Sequence, residues 1–275
     1  MTNEIYPCLW FDGKAKEAAE FYCKIFPNSR ITVDSPLVVM FDLNGKKVMG
    51  LNGGPMYTIN PSISMFVQCA SLDEVKRLWN ELSDGAKVMM ALDKYPWSEQ
   101  YGWLQDKFGF TWQIMKAEKD KMMPSLLFTG DKFGRAEEAL NFYTNVFEHS
   151  SVDVKNHYDE ASPFAGKVVY SEFNLGGYPF VAMDGPGEHK FTFSEAVSFV
   201  VNCANQQEID HYWNIFTKDG GQESMCGWCK DKFGVSWQIV PFNIGQLINS
   251  SEKGQRAMQK MLKMKKMVIA ELEGA

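Results

Sequence analysis

Gln113 and Gln238 stand at matching places in two copies of one phrase, GWLQDKFGFTWQI at 102–114 and GWCKDKFGVSWQI at 227–239. An amide there can donate and accept hydrogen bonds to a small molecule, but it neutralises a bound cation poorly because it carries no charge. The other residues able to do chemistry are less organised. Cys226 and Cys229 have C-x-x-C spacing, yet they fall on a predicted strand, their repeat partners are Tyr101 and Leu104, and no second pair completes a zinc set. The four histidines, His149, His157, His189 and His211, all lie in the second half, with no repeat partners and no ligand spacing. Asn52-Gly53-Gly54-Pro55 runs into an irregular segment, so it reads as a turn rather than as a phosphate or methyl-donor loop, which would need a helix to follow.

The two phrases agree at nine of thirteen positions, including both tryptophans. The agreement continues upstream in order. Phe21-Tyr22 and Phe26 match Phe142-Tyr143 and Phe147, Cys69 matches Cys203, and Trp79-Asn80 matches Trp213-Asn214. The 275-residue chain is therefore a duplication, with units expected at 1–119 and 120–275 and a boundary in the charged stretch 116–122. Each half reads as two smaller units. A strand at 6–11 precedes a helix with an apolar stripe at Ala15, Ala18, Ala19, Tyr22 and Phe26. Strands follow at 30–34, 37–44 and 47–51, with Asn44-Gly45 as the hairpin turn. The order recurs from a strand at 63–69 and a helix capped by Ser71, with Glu74 in the reciprocal position of a capping box. Strand, helix and three strands repeat four times, which places the chain in the α+β class. Two additions stand outside the repeat. Residues 93–100 read as an aromatic loop in which Trp97 could gate a cavity, and 255–272 reads as a helix that packs on the body.

Apolar residues make up 45% of the chain and charged residues 23%, enough for a buried core. The net charge of −6 argues against nucleic acid, which needs a basic footprint. No apolar run is long enough to span a membrane, no secretory leader is visible over 1–11, and the six cysteines are scattered. The expectation is a cytoplasmic protein without membrane contact.

The phrases FDGKAKEAAEFYCKIFPNSR, LNGGP, DKFGxxWQI and QRAMQKMLKMKKMVIAELE resemble the PhnB-like branch of the vicinal-oxygen-chelate superfamily, which includes glyoxalase I, extradiol dioxygenases and bleomycin-resistance proteins. PhnB-like members often carry the label 3-demethylubiquinone 3-methyltransferase domain. The resemblance implies paired βαβββ modules curled into open, U-shaped barrels, here as a tandem repeat of two glyoxalase-like units with two pseudo-equivalent sites, and further homodimerisation is compatible with it. It also implies a divalent metal held by His or Gln on first strands and carboxylates on last strands. This chain departs from that pattern. The carboxylate positions of the repeated phrase are Gln113 and Gln238; the first-strand positions are Tyr6 and Met123, with Ser62 or Ser64 and Ala196 or Ser198 in the other modules; the remaining positions are Asn52 and Asp184. No cofactor is expected, since a divalent metal would find its ligands largely replaced. Trp10 falls where glyoxalase I carries a substrate-contacting basic residue, which suits a planar or hydrophobic ligand unless the indole merely fills the space.

The expected ligand-binding set is Tyr6, Trp10, Asn52, Trp103, Gln113, Asp184, Trp228 and Gln238; no catalytic residue is singled out. The leading reading is a metal-independent small-molecule binding protein. The alternatives are a metal-dependent glyoxalase, isomerase or dioxygenase, and a protein whose cavity is filled by its own side chains. Methyl transfer ranks below these, because no glycine loop follows a first strand.

Overall fold

The computed structural model describes residues 4–275, so Met1–Asn3 lie outside it. Four βαβββ modules follow one another. The first is β1 (Ile5–Phe11), α1 (Ala15–Ile25), β2 (Arg30–Asp34), β3 (Val38–Leu43) and β4 (Lys46–Asn52). The second is β5 (Ile63–Cys69), α2 (Leu72–Leu82), β6 (Lys87–Tyr95), β7 (Ser98–Gln105) and β8 (Thr111–Lys116). The third is β9 (Lys121–Phe128), α3 (Ala136–Val146), β10 (Ser151–His157), β11 (Val168–Leu175) and β12 (Tyr178–Asp184). The fourth is β13 (Val197–Cys203), α4 (Gln206–Phe216), β14 (Gln222–Glu223), β15 (Trp228–Lys230) and β16 (Ser236–Pro241). Three short helices end the chain: α5 (Ile244–Leu247), α6 (Glu252–Met261) and α7 (Ile269–Glu273).

Local chemistry accounts for the elements. Asn44 and Gly45 both adopt positive φ, 49° and 75°, the geometry of a tight hairpin turn whose twist matches the strands it joins. Ser71 accepts a hydrogen bond from the Asp73 amide and caps α2, whereas the Glu74 carboxylate turns to Arg77 at 2.6 Å instead of back to the cap. The guanidinium offers a charge-assisted pair that a lone amide cannot match.

Pairing between modules crosses the duplication. One eight-stranded sheet runs β14-β15-β16-β13-β1-β4-β3-β2, and the other runs β10-β11-β12-β9-β5-β8-β7-β6. The outer modules, one and four, meet where β1 pairs antiparallel with β13; the inner modules, two and three, meet where β5 pairs with β9. Each sheet therefore takes one module from each half. The two modules of a half are joined differently, through the backs of the sheets and their helices. Tyr22 of α1 lies between Phe41 of one sheet and Trp112 of the other, and Phe26 stacks on Trp112 at 5.1 Å. Tyr143 of α3 and Phe147, which caps its end, repeat this against Trp237. Phe180 of β12 meets Phe199 of β13 directly, with ring centroids 5.0 Å apart. Back faces thus form the shared core, and the opposite face of each sheet turns away from it, with its central side chains still buried.

The repeated DKFG turn holds these contacts in place. The Asp106 carboxylate is 4% exposed and accepts four hydrogen bonds: from Tyr22 Oη at 2.7 Å, Trp112 Nε1 at 2.8 Å, and the amides of Phe108 and Phe110. Asp231 does the same with Tyr143, Trp237, Phe233 and Val235. Burial raises both carboxyls above their usual range, and the four donors oppose the shift.

Two sequence expectations change. Residues 93–100 are not a loop: β6 and β7 run on to Tyr95 and from Ser98, so the extra residues lengthen a hairpin into an arm. The helix expected over 255–272 breaks after Met261 and resumes at Ile269, because Met264 and Lys265 must present their carbonyls to the amides of Cys226 and Gly227. Met264, Met267 and Leu272 are buried by this strap, in line with packing on the body.

Asp231→Asn should lower unfolding free energy by about 2–4 kcal/mol, since its amide would turn a donor toward donors it cannot satisfy. Tyr143→Phe should lose about 1–2 kcal/mol. Urea denaturation followed by fluorescence measures both, and an unchanged Asn variant would refute the role given to the carboxylate.

Candidate functional site

Strand alternation divides the repeated phrase between two surfaces. Trp112 and Ile114 belong to the core, so Thr111, Gln113 and Met115 point to the open face of their sheet; Trp237 and Ile239 likewise leave Ser236, Gln238 and Val240 on theirs.

On the outer-module sheet, Gln238 Nε2 donates to Ser198 Oγ at 2.9 Å. Cys8, opposite Ser198 on β1, lies within hydrogen-bonding reach of both side chains. Burial pushes the Cys8 thiol up to about 12 and raises the Tyr6 hydroxyl well above its ordinary value. These groups are neutral at physiological pH, and the thiol is no nucleophile. Over this floor stands an aromatic wall. Trp10 is half-buried, meets Tyr57 edge-on at 5.0 Å and Trp228 at 6.0 Å, and donates Nε1–H to the Gly54 carbonyl at 2.7 Å. Gly53 is required beneath it: a Cβ there would lie 2.2 Å from the indole ring. Met40, Met49 and Leu51 extend the apolar surface and are also only partly buried.

The inner-module sheet has the same floor plan with different furniture. Gln113 Nε2 donates to Ser64 Oγ at 2.8 Å, and Tyr101 Oη donates to Gln113 Oε1 at 2.7 Å. Phe66, Tyr101, Met123 and Val181 pack into a separate buried cluster, with Trp103 and Tyr95 against it. The long arm bends its aromatics inward: Tyr95 and Trp97 stack at 5.0 Å, and Trp97 meets Tyr101 at 5.8 Å. Trp97 itself remains 58% exposed. Glu172 accepts from Gln68 at 2.8 Å and Tyr170 at 2.6 Å and forms an ion pair with Lys121. Burial pushes its carboxyl upward, but the Lys121, Tyr170 and Gln68 contacts outweigh that and hold it below the usual range.

The structure brings Tyr6, Trp10, Trp228 and Gln238 together on one face of the outer-module sheet, and Trp103 and Gln113 on the matching face of the other. Asn52 and Asp184 join neither. Gly50 abuts Ala15, so Asn52, two residues on, shares that helix-facing side; its Oδ1 accepts from the Ala15 amide at 2.9 Å and its Nδ2 donates to Pro36. Asp184 accepts from the amides of Gly134, Ala136 and Val168. Both anchor the start of a helix. Cys8, Tyr101, Gln68, Tyr170 and Glu172 were absent from the expected set. An acidic residue inside the apolar strand VVYSEFNL was the available signal for Glu172.

The donor sets do not fit a hard divalent metal. One floor offers a thiol, a hydroxyl and an amide; the other offers hydroxyls, an amide and the single Glu172 carboxylate, which Lys121, Tyr170 and Gln68 already hold. Among the described residues no group of three or more His, Cys, Asp or Glu side chains could hold a metal ion. The Gly53-Gly54 turn leads into coil rather than a helix, and the indole of Trp10 covers it, so it does not fit a methyl donor either. His157 lies beside Glu137 at 3.3 Å, and His189 beside the Pro186 carbonyl, away from both floors. No helix among the described residues is long and apolar enough to cross a membrane.

Gly53→Ala should expel the Trp10 indole from its bed, which a red shift of tryptophan emission would register. Unshifted emission would mean that the ring is not held as described.

No curated protein matches the chain. Among solved structures, a PhnB protein from Bacillus cereus, described as a 3-demethylubiquinone-9 3-methyltransferase, is 31% identical over 40% of this chain and 96% of its own, with a TM-score of 0.38. Glyoxalase I from Zea mays matches 88% of this chain and 94% of its own at 11% identity and a TM-score of 0.58. A Bacillus subtilis protein described as a dioxygenase matches 86% of each chain at 9% identity and a TM-score of 0.51. The last two likenesses speak for the fold alone. The pattern of the family described as 3-demethylubiquinone-9 3-methyltransferase fits this sequence twice, over residues 3–115 and 120–240, and the chain therefore belongs to that family, as a tandem repeat.

Proposed function

We propose that the chain is a metal-independent small-molecule binding protein, and that its ligand lies on the open face of the outer-module sheet. The observation that carries this reading is the pairing of a neutral polar floor with a half-exposed aromatic wall. Trp10, Tyr57 and Trp228 offer edges and faces to a planar or hydrophobic body, while Gln238 offers its remaining hydrogen-bonding capacity to one polar group. Such a surface, apolar with a few placed polar groups, is what ligand pockets generally present. The raised Cys8 and Tyr6 protons favour holding over proton transfer, since neither group would exchange its proton near neutral pH. The methyl transfer in the family description and the chemistry of the glyoxalase and dioxygenase neighbours would each need a partner that these residues do not fit.

Nile red, a neutral planar dye, serves as a probe. Trp10→Ala should weaken its binding by about tenfold or more while shifting the unfolding midpoint little. Equal affinity for both proteins would sink the assignment to this face. Protein purified without a polyhistidine tag or chelator should contain no stoichiometric transition metal by elemental analysis; one equivalent bound would instead favour Lewis-acid chemistry.

A further inference from the structure

Trp228 owes its place to the far end of the chain. The repeated phrase sets Gly227-Trp228 where Gly102-Trp103 stands in the first half, yet the two tryptophans are delivered by different backbones. Gly102 and Trp103 lie inside β7, between β8 and the long β6, which pairs Tyr101 with Asp93 and Trp103 with Met90. In the fourth module the hairpin stops short. Its outer strand β14 has two residues, and β15 begins only at Trp228. Met225 to Trp228 close a tight turn, with the Trp228 amide donating to the Met225 carbonyl at 3.0 Å. The central residues, Cys226 and Gly227, have φ of 59° and 79°. Asparagine-glycine suits such a turn; a cysteine there is strained and persists only where its surroundings hold it.

The C-terminal strap does the holding. The Cys226 amide donates to the Met264 carbonyl at 2.7 Å and the Gly227 amide to the Lys265 carbonyl at 2.8 Å. The Met267 side chain lies against Gly227, 3.2 Å from where a Cβ would stand. The strap is itself gripped by α4. Gln206 Nε2 donates to the Met267 carbonyl at 3.0 Å, and Gln206 Oε1 accepts from the Ile269 amide at 2.9 Å, so one side chain satisfies two backbone groups of an irregular segment. Lys266 pairs with Asp210 at 2.6 Å and Lys265 with Glu223 at 3.1 Å.

We propose that this strap is the specificity-determining element of the outer-module face, with Gln206 as its positioning residue. Clamped to α4, the strap fixes the turn, and the turn fixes how the Trp228 ring stands toward Trp10, edge-on at 6.0 Å. Trp10 is fixed from its own side by the Gly54 carbonyl. The wall is therefore built from both ends of the chain, and a rigid wall selects a planar body. A loosened Trp228 must be ordered anew at each binding event, which weakens the hold on a flat ligand. The inference rests on the outer-module reading above.

The test pairs indole N–H spectra of 15N-labelled full-length protein with Nile red titrations. Signals are assigned with Trp228→Phe and Trp112→Phe. Gln206→Ala should displace or broaden the Trp228 signal while Trp112, held by Asp106, stays in place and shows that the fold stands. Met267→Ala, which strips the strap of its contact with Gly227, should do the same. Dye affinity should fall about fivefold in Gln206→Ala but should not fall further when Gln206→Ala is added to Trp228→Ala. A merely structural role would weaken binding in both backgrounds, and that result overturns the proposal. So does a Trp228 signal unmoved in both strap variants. If the signal moves but Trp228→Ala binds the dye as well as the wild type does, the strap's grip on the ring stands and the outer-module reading falls.

Discussion

Two buried carboxylates organise this molecule. Asp106 and Asp231 each gather a helix tyrosine, a strand tryptophan and two turn amides around one charge. A charge out of water is tolerable only when its lone pairs are filled, and here all four donors are local or one module away. The pairing fixes where α1 and α3 sit against the neighbouring module. It also fixes the parity of β8 and β16. Once Trp112 and Trp237 are committed to the carboxylate side, Gln113 and Gln238 must face the other way. The two opposite faces owe their central amides to an interaction made entirely behind them.

From that common frame the two faces diverge by substitution and by arm length. The position of Trp10 is held on the other sheet by Leu127, and that of Met40 by Glu172, as the matching strand registers show. The outer-module face keeps large, half-exposed aromatics over a neutral floor. The inner-module face is filled by its own phenyl, phenol and thioether groups and covered by a nine-residue β6 strand with its partner. Duplication lets one scaffold carry two surfaces of different polarity, because the core contacts behind each face are repeated in both halves.

The amino-acid sequence by itself determined the duplication, the fourfold order of elements, and which residues of the repeated phrase share a face. These are local properties: periodicity, turn chemistry and strand parity act over a few residues. Trp112 and Gln113 could be assigned to opposite sides on that ground alone, and so could Tyr6, Cys8 and Trp10 to one side. The same reasoning placed Asn52 and Asp184 beside a ligand, because nothing local reveals that the end of a strand lies over a helix start. The tertiary structure alone decided that the outer modules share one sheet and the inner modules the other. Any strand edge offers the same amides and carbonyls, so the choice of β13 as the partner of β1, almost two hundred residues away, is made by side chains meeting across the core. Only that choice places Cys8 beside Ser198 and Gln238.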